Sequence, residues 1–219
     1  MPPPEPSWRF RPARAEDAAA CAPLVFESGP GEFDFFVGKP PEQCIAFIQA
    51  GFASRYGRYS WRRYRVAVTP DDRVVSVMSI QDGRKTRGDD VYSVWSMLRV
   101  FGLRHMIGMA QRGAVLENEL PAPKRAERLI GQCATDPRMR GTGVFTALFK
   151  DALAAGLLDA GVGSTLVIDV RVNNVRARSL YERLGFVPQP RPHPPSPRLP
   201  PELVSMRLAW PGRAVPSSA

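Results

Sequence analysis

"TDPRMRGTGVFTALFKDAL", Thr135 to Leu153, sets two glycines where an extended run turns into a helix that the pattern carries from about Gly143 to Gly161. A strand that enters a helix through such a turn leaves several backbone N–H groups unpaired, all pointing one way at the positive end of the helix dipole. That is an anion site. Gly141 and Gly143 have no Cβ, so a phosphate can approach the main chain, and Arg138 and Arg140 add charge at the rim. The spacing Arg-x-x-Gly-x-Gly lacks the Lys-Ser/Thr of a P-loop and lies too late in the chain for an N-terminal dinucleotide fold. It favours a pyrophosphate other than that of a nucleoside triphosphate. Taken alone, two glycines at a helix start also describe an ordinary tight turn.

Working outward, "ERLIGQCAT" (Glu127 to Thr135) reads as a strand before the turn, and the near-continuous apolar run "STLVIDVRV" (Ser164 to Val172) as a buried strand after its helix. Asn174 caps a further helix, "VRARSLYERLG", which Gly185 ends. Upstream, "WRFRPA" alternates like a strand and leads into the helical "RAEDAAACAPLVFES". "GPGEFDFF" breaks that helix, and "PPEQCIAFIQAGFASRYG" restores the spacing, with proline at its start and Gly57 after its end. "YRVAVTPDDRVVSVMSIQDG" is two alternating runs around a Pro-Asp-Asp turn, a hairpin. Tyr92 to Arg112 carries a stripe of Val94, Met97, Leu98, Phe101, Met106, Ile107 and Met109 despite Gly102 and Gly108, which fits a core helix or a lid with adaptable methionines. The proline-rich "VPQPRPHPPSPRLPPE" reads as an extended surface loop leading to a last strand, "LVSMRLAW".

The second informative stretch is "NVRARSLYERLGF", Asn174 to Phe186, of the form Asn-x-x-Ala-x-x-Leu-Tyr-x-x-x-Gly-Phe, one helix and one strand after the glycine turn. In this order the two motifs resemble the GNAT superfamily of acyl-CoA-dependent N-acyltransferases, over roughly residues 8–210. The resemblance implies an α/β fold of mixed α+β type, with a mostly antiparallel central sheet, a splayed parallel strand pair and flanking helices. It implies acetyl-CoA in the cleft between the strands 127–135 and 164–172. The pantetheine arm would pair with the backbone of Cys133, Ala134 and Thr135, a form of strand addition indifferent to side chains. The pyrophosphate would rest on Arg138, Met139, Arg140, Gly141, Thr142, Gly143 and Val144, with Asn174 and Tyr181 completing the cofactor site.

The implied reaction is attack of an amine on a thioester. An alkyl ammonium, with a pKa of about 10.4, must first lose its proton, and the departing thiolate gains from a nearby acid. Tyr181 matches the family's tyrosine in that role; a phenol is also an ordinary core residue. Glu127, at the start of the cofactor strand, resembles in placement the catalytic glutamate of the histone-acetylating branch. It reads equally as a strand-end carboxylate near Arg125 or Arg128. Asp169, inside an apolar run, is costly unless paired, and Arg171 on the same strand face is its expected partner. His105 and His193 are isolated. "GEFDFFVG" offers Glu32, Phe33, Asp34 and Phe35 for a cationic acceptor with an apolar body, or a hydrophobic plug under a loop.

At 219 residues, 44% of them hydrophobic and 23% charged, the chain is long enough for one buried domain. That domain is expected at 8–211, with a helical insertion at 92–126, a Pro-rich tail at 1–7 and another tail at 212–219. The formal charge of +9 and pI near 10.1 would suit an anionic partner. The excess is arginine spread through an Ala/Pro-rich chain, without the basic-aromatic runs of a nucleic-acid module, so no nucleic acid is expected. Cys21, Cys44 and Cys133 lack zinc-site or disulfide spacing, no metal has a credible ligand cluster, and "MPPPEPSW" is not a signal peptide. The longest apolar stretch is interrupted by Arg99, Arg104 and His105, so a soluble cytoplasmic protein is expected. The function expected is N-acetyl transfer from acetyl-CoA to a primary amine of a small molecule. The rivals are a protein lysine or N-terminal acetyltransferase, which should leave an open groove, and a non-catalytic CoA-binding module indifferent to Tyr181. The family often forms homodimers through its last strands; "LVSMRLAW" does not decide it.

Overall fold

Alternating apolar residues in the strands build a sheet with two buried faces. A computed structural model describes residues 8–84, 87–159 and 164–211, with side chains at 87–91 set aside; the expected tails at 1–7 and 212–219 lie outside the described residues. Strands β1 (Arg9–Pro12), β2 (Tyr64–Val68), β3 (Val74–Asp82), β4 (Glu127–Thr135), β5 (Thr165–Arg171), β6 (Val187–Pro188) and β7 (Ser205–Trp210) form one sheet. Their spatial order is β1-β2-β3-β4-β5-β7-β6. Every neighbouring pair is antiparallel except β4 and β5, which are parallel.

The two faces separate by residue parity. Val66 and Val68 join a core with α1 (Ala18–Glu27), α2 (Pro30–Val37) and α3 (Pro41–Ala53), while Ala67 joins the opposite core with α5 (Val144–Ala154) and α6 (Val175–Arg183). In α5, Phe145, Leu148, Phe149 and Ala152 recur at helical spacing and are all buried. The Arg65–Asp151 ion pair ties that helix to β2.

Three expectations change. "GPGEFDFF" breaks one helix only to begin another: Pro30 stands at the first position of α2, and Gly38 ends it at φ 62°. Proline is pre-organised for a helix start. Phe33, 5.7 Å from Phe26 between ring centroids and 6.1 Å from Tyr59, supplies burial that offsets Gly31 within the short helix. The helix expected at 92–112 runs instead as α4 (Arg87–Glu119), interrupted at Gly102, whose φ of 76° and ψ of 161° are non-helical. The helix expected to reach Gly161 gives way after Ala154, and Gly161 lies outside the described residues.

The inner side of α4 belongs to the core: Met109 is buried, and Met97, Phe101 and Met106 pack against the first cluster. Its outer side leaves Trp95, Val100, Leu103 and Ile107 exposed. Among the described residues no helix is long and apolar enough to cross a membrane.

The C-terminal end of α4 is fastened by charge. The buried Glu119 carboxylate accepts from the Ser205 N–H of β7 and from Arg191 of the proline-rich loop. Glu119→Ala should strand both donors and destabilise the protein by about 1–3 kcal/mol. Urea unfolding measures the loss, and hydrogen exchange should show it concentrated in the second half of α4.

Candidate active site

The site begins where β4 and β5 part. They pair from Glu127↔Thr165 to Ile130↔Ile168 and no further. β4 then stays with β3 as far as Thr135, and β5 stays with β7 as far as Arg171. A bulge drives the separation: β4 advances from Gly131 to Ala134 while β3 covers only Ser79 to Val77. Gln132, at φ 41°, occupies the extra position. Its amide oxygen accepts from Ser79 Oγ and, at 3.3 Å, from Gln81 Nε2, which holds a backbone conformation that non-glycine residues seldom adopt. The β5-facing edge of β4 at residues 131–135 is thereby left open.

The glycine turn closes one end of this opening. Asp136 Oδ1 accepts the Arg138 N–H at 2.9 Å, and Gly141 and Gly143 both have positive φ, 84° and 87°. The backbone N–H groups of Gly141, Gly143, Val144 and Phe145 have no hydrogen-bond partner among the described residues. A Cβ built on Gly143 would meet nothing within 4 Å, so there is room for an anion where those groups point. Arg176, on the first turn of α6, reaches over the turn: its Nη2 would stand 3.7 Å from a Cβ on Gly141. Arg140 leans back, its Nε donating to Thr135 O at 3.2 Å and its guanidinium 3.7 Å from Glu27.

One cavity of about 1170 Å³ joins the open β4 edge, the turn and the helices around them. Cys133, Ala134, Thr135, Met139, Arg140, Gly141, Gly143, Val144, Asn174 and Tyr181 line it, as sequence reasoning placed them; Arg138 and Thr142 stand behind, shaping the turn. Asn174 Oδ1 caps α6 by accepting the Ala177 N–H at 3.1 Å. That fixes the direction in which α6 carries Tyr181 inward. The Tyr181 ring packs on Phe145 and Phe186, and its hydroxyl faces the Cys133 thiol. Burial and the neighbouring thiol hold the phenol well above its usual pKa, and burial pushes Cys133 up to about 12. Both therefore carry their protons at neutral pH.

The far end of the cavity has different chemistry. Glu32, Phe33 and Phe36 line it from α2, whereas Asp34 and Phe35 do not. On a helix, positions 32, 33 and 36 share a face and 34 and 35 turn away. Met97, Met106 and Met109 of α4 also line the cavity. Glu32 Oε1 lies 3.5 Å from Arg171 Nε, and Glu32 Oε2 is buried without a hydrogen-bond partner. An unpaired buried acceptor costs about 1–3 kcal/mol.

The other carboxylates are committed. Asp169 receives two bonds of 2.8 Å from Arg207, its direct cross-strand neighbour, so its partner is Arg207 and not the expected Arg171. Asp169 stands directly opposite Arg207 on the neighbouring strand, whereas Arg171 is turned toward Glu32. Glu127 accepts from Arg207 at 3.2 Å and from the Lys124 N–H at 2.9 Å, and it does not line the cavity. His105 Nε2 rests 2.6 Å from Val37 O, a structural contact. Sequence reasoning missed Gln132, Arg176 and the site role of Arg171. No residue-type signal marks a glutamine at a bulge, and Arg176 sits at an unspecified position of its motif.

Burial holds the Cys133 thiol protonated, so iodoacetamide should modify it far more slowly in the native protein than after unfolding. A spectrophotometric titration of the native protein and Tyr181→Phe should show no phenolate from Tyr181 below pH 10.

Residues 103–186 match the acetyltransferase (GNAT) family. No protein of curated function matches the sequence. Among solved structures, the fold is similar to an N-acetyltransferase from Staphylococcus aureus Mu50, at 19% identity and a TM-score of 0.65, over 92% of this chain and 99% of that one. It is also similar to a histone acetyltransferase HPA2 and related acetyltransferase from Corynebacterium glutamicum ATCC 13032, at 20% identity and a TM-score of 0.60, over 94% and 96% of the two chains. The described residues thus have the GNAT fold, and the segment that carries the glycine turn, β5 and Tyr181 matches the GNAT acetyltransferase family.

Proposed function

We propose that this protein is an N-acetyltransferase that moves acetyl from acetyl-CoA to the primary amine of a small molecule, by direct attack with both substrates bound. The observation that carries the reading is the single cavity in which an open strand edge, a turn of unpaired N–H groups and a protonated tyrosine meet. When bound, acetyl-CoA supplies the activated acetyl group as a thioester. The N–H groups of Gly141, Gly143, Val144 and Phe145 receive its phosphates, with Arg176 and Arg140 at the rim, and the main chain of Cys133 to Thr135 takes the amide-bearing arm. Tyr181 keeps its proton through neutral pH and is the donor to the departing sulfur.

The small-molecule acceptor in this reading is supported by α4. Its methionine-lined inner face and α2 stand on two sides of the acceptor end, which makes a pocket where a polypeptide substrate would need an open groove. Glu32 faces that pocket and suits the incoming ammonium. Glu127, the sequence's candidate base, spends its Oε2 on Arg207 and the Lys124 N–H and does not line the cavity, so in our assignment it positions β4 and Arg207. A cytoplasmic setting fits the three free cysteines.

Calorimetry with acetyl-CoA tests the cofactor. Native protein should bind in the micromolar range. Gly141→Glu should abolish binding, because its carboxylate repels phosphate and its φ of 84° disfavours a side chain; Gly141→Ala, strained but uncharged, should bind more weakly than native protein yet measurably. With an accepted amine, Tyr181→Phe should lower kcat on the order of a hundredfold at unchanged acetyl-CoA affinity. Absence of binding by folded native protein overturns the reading, and full activity of Tyr181→Phe removes the tyrosine from the mechanism.

A further inference from the structure

The acceptor end of the cavity holds one charged pair that the fold leaves incomplete. Glu32 and Arg171 both line it, with side chains 17% and 26% exposed, so water satisfies neither fully. Their contact is loose: 3.5 Å between Nε and Oε1, too long for a strong charge-assisted bond. Glu32 Oε2 has no partner, and the Arg171 guanidinium makes no hydrogen bond among the described residues. Of the other carboxylates lining the cavity, Asp169 is held by Arg207, Glu117 accepts the Ala122 N–H at 3.0 Å, and Glu27 lies 3.7 Å from Arg140.

The pairing is built into the backbone. Arg171 is the last residue of β5, past the point where β4 has left it, and it projects on the same face as Asp169, toward α2. Gly31 allows α2 to come that close: a Cβ there would stand 2.8 Å from Leu203 and 3.7 Å from Arg171 Nη1. Phe33, Phe36, Met97, Met106 and Met109 line the same cavity as the pair and give it apolar surface. A monoamine would answer the carboxylate and leave the guanidinium, whose planar fork matches a carboxylate, without a partner.

We propose that the acceptor is an amino acid-like zwitterion with an apolar body, its carboxylate held by the Arg171 guanidinium and its amine presented beside Glu32. The inference rests on the acetyltransferase reading and narrows it. In the reaction the ammonium gives up a proton, the nitrogen lone pair bonds to the acetyl carbon, the nitrogen then loses a second proton and the carbon–sulfur bond breaks. The sulfur leaves as a thiol after taking one proton. One further proton is released to solvent, and the carboxylate is unchanged throughout.

The test compares acids with their decarboxylated counterparts: L-phenylalanine with phenethylamine, L-methionine with 3-(methylthio)propylamine, and β-alanine with ethylamine. Binding to the CoA-loaded protein is read by calorimetry and turnover by thiol release. At least one acid should bind about tenfold or more tightly than its amine. Arg171→Gln should erase that preference, Arg171→Lys should keep part of it, and Glu32→Gln should weaken acid and amine alike. Melting curves establish that each variant is folded. Equal binding of acids and amines, or a preference that survives Arg171→Gln, overturns the proposal, as does a loaded protein that turns over only amines. Failure of the native protein to bind CoA at all defeats the acetyltransferase reading itself and takes this proposal down with it.

Discussion

The hydrogen-bond ladder between β4 and β5 stops after Ile130 and Ile168, and the site exists because it stops there. Two parallel strands can part only if each has another partner. β3 holds β4 on one side and β7 holds β5 on the other, so the sheet remains continuous while its middle opens. The extra residue at Gln132 twists β4 away, and the cost of its positive φ is met by the bonds its side chain makes to Ser79 and Gln81. The open edge then presents main-chain donors and acceptors in a place where an unliganded sheet would have paired them.

Everything around the opening serves to give it two unlike ends. At one end, glycines in the left-handed region turn unpaired N–H groups outward, and Arg140 and Arg176 supply positive charge. At the other end α2 and α4 bring Glu32, aromatic rings and methionines. Tyr181 stands at the strand junction, protonated because burial disfavours its anion. The clamps that maintain this arrangement lie outside the cavity or at its margin: Arg207 binds both Asp169 and Glu127, and Glu119 fastens the end of α4 to β7. They are ion pairs and a charge-assisted hydrogen bond shielded enough to direct packing, and each joins segments distant in the chain.

The strands other than β6, the hairpin, the glycine turn and the Asn174-to-Phe186 helix were legible from residue pattern, because each depends on local chemistry: parity, capping and left-handed glycine; β6, at the start of the proline-rich segment read as a loop, is a strand only through its pairing with β7. α2 was not, since a short segment with Gly31 in it becomes helical only once Phe33 and Val37 have a core to enter. The same gap hid which of its side chains face the cavity. Spacing along one strand suggested Arg171 for Asp169, but strand pairing, invisible in a single sequence, delivered Arg207 from far along the chain.

By itself the sequence determined the elements around the glycine turn and the residue types needed there, because such a turn is a contiguous piece of backbone. Only the tertiary structure decided where β4 and β5 part, which carboxylates are neutralised by arginines, and which are left facing the cavity. Those outcomes depend on contacts between residues far apart in the chain, and in a buried setting such contacts, not residue identity, set whether a charge is structural or available.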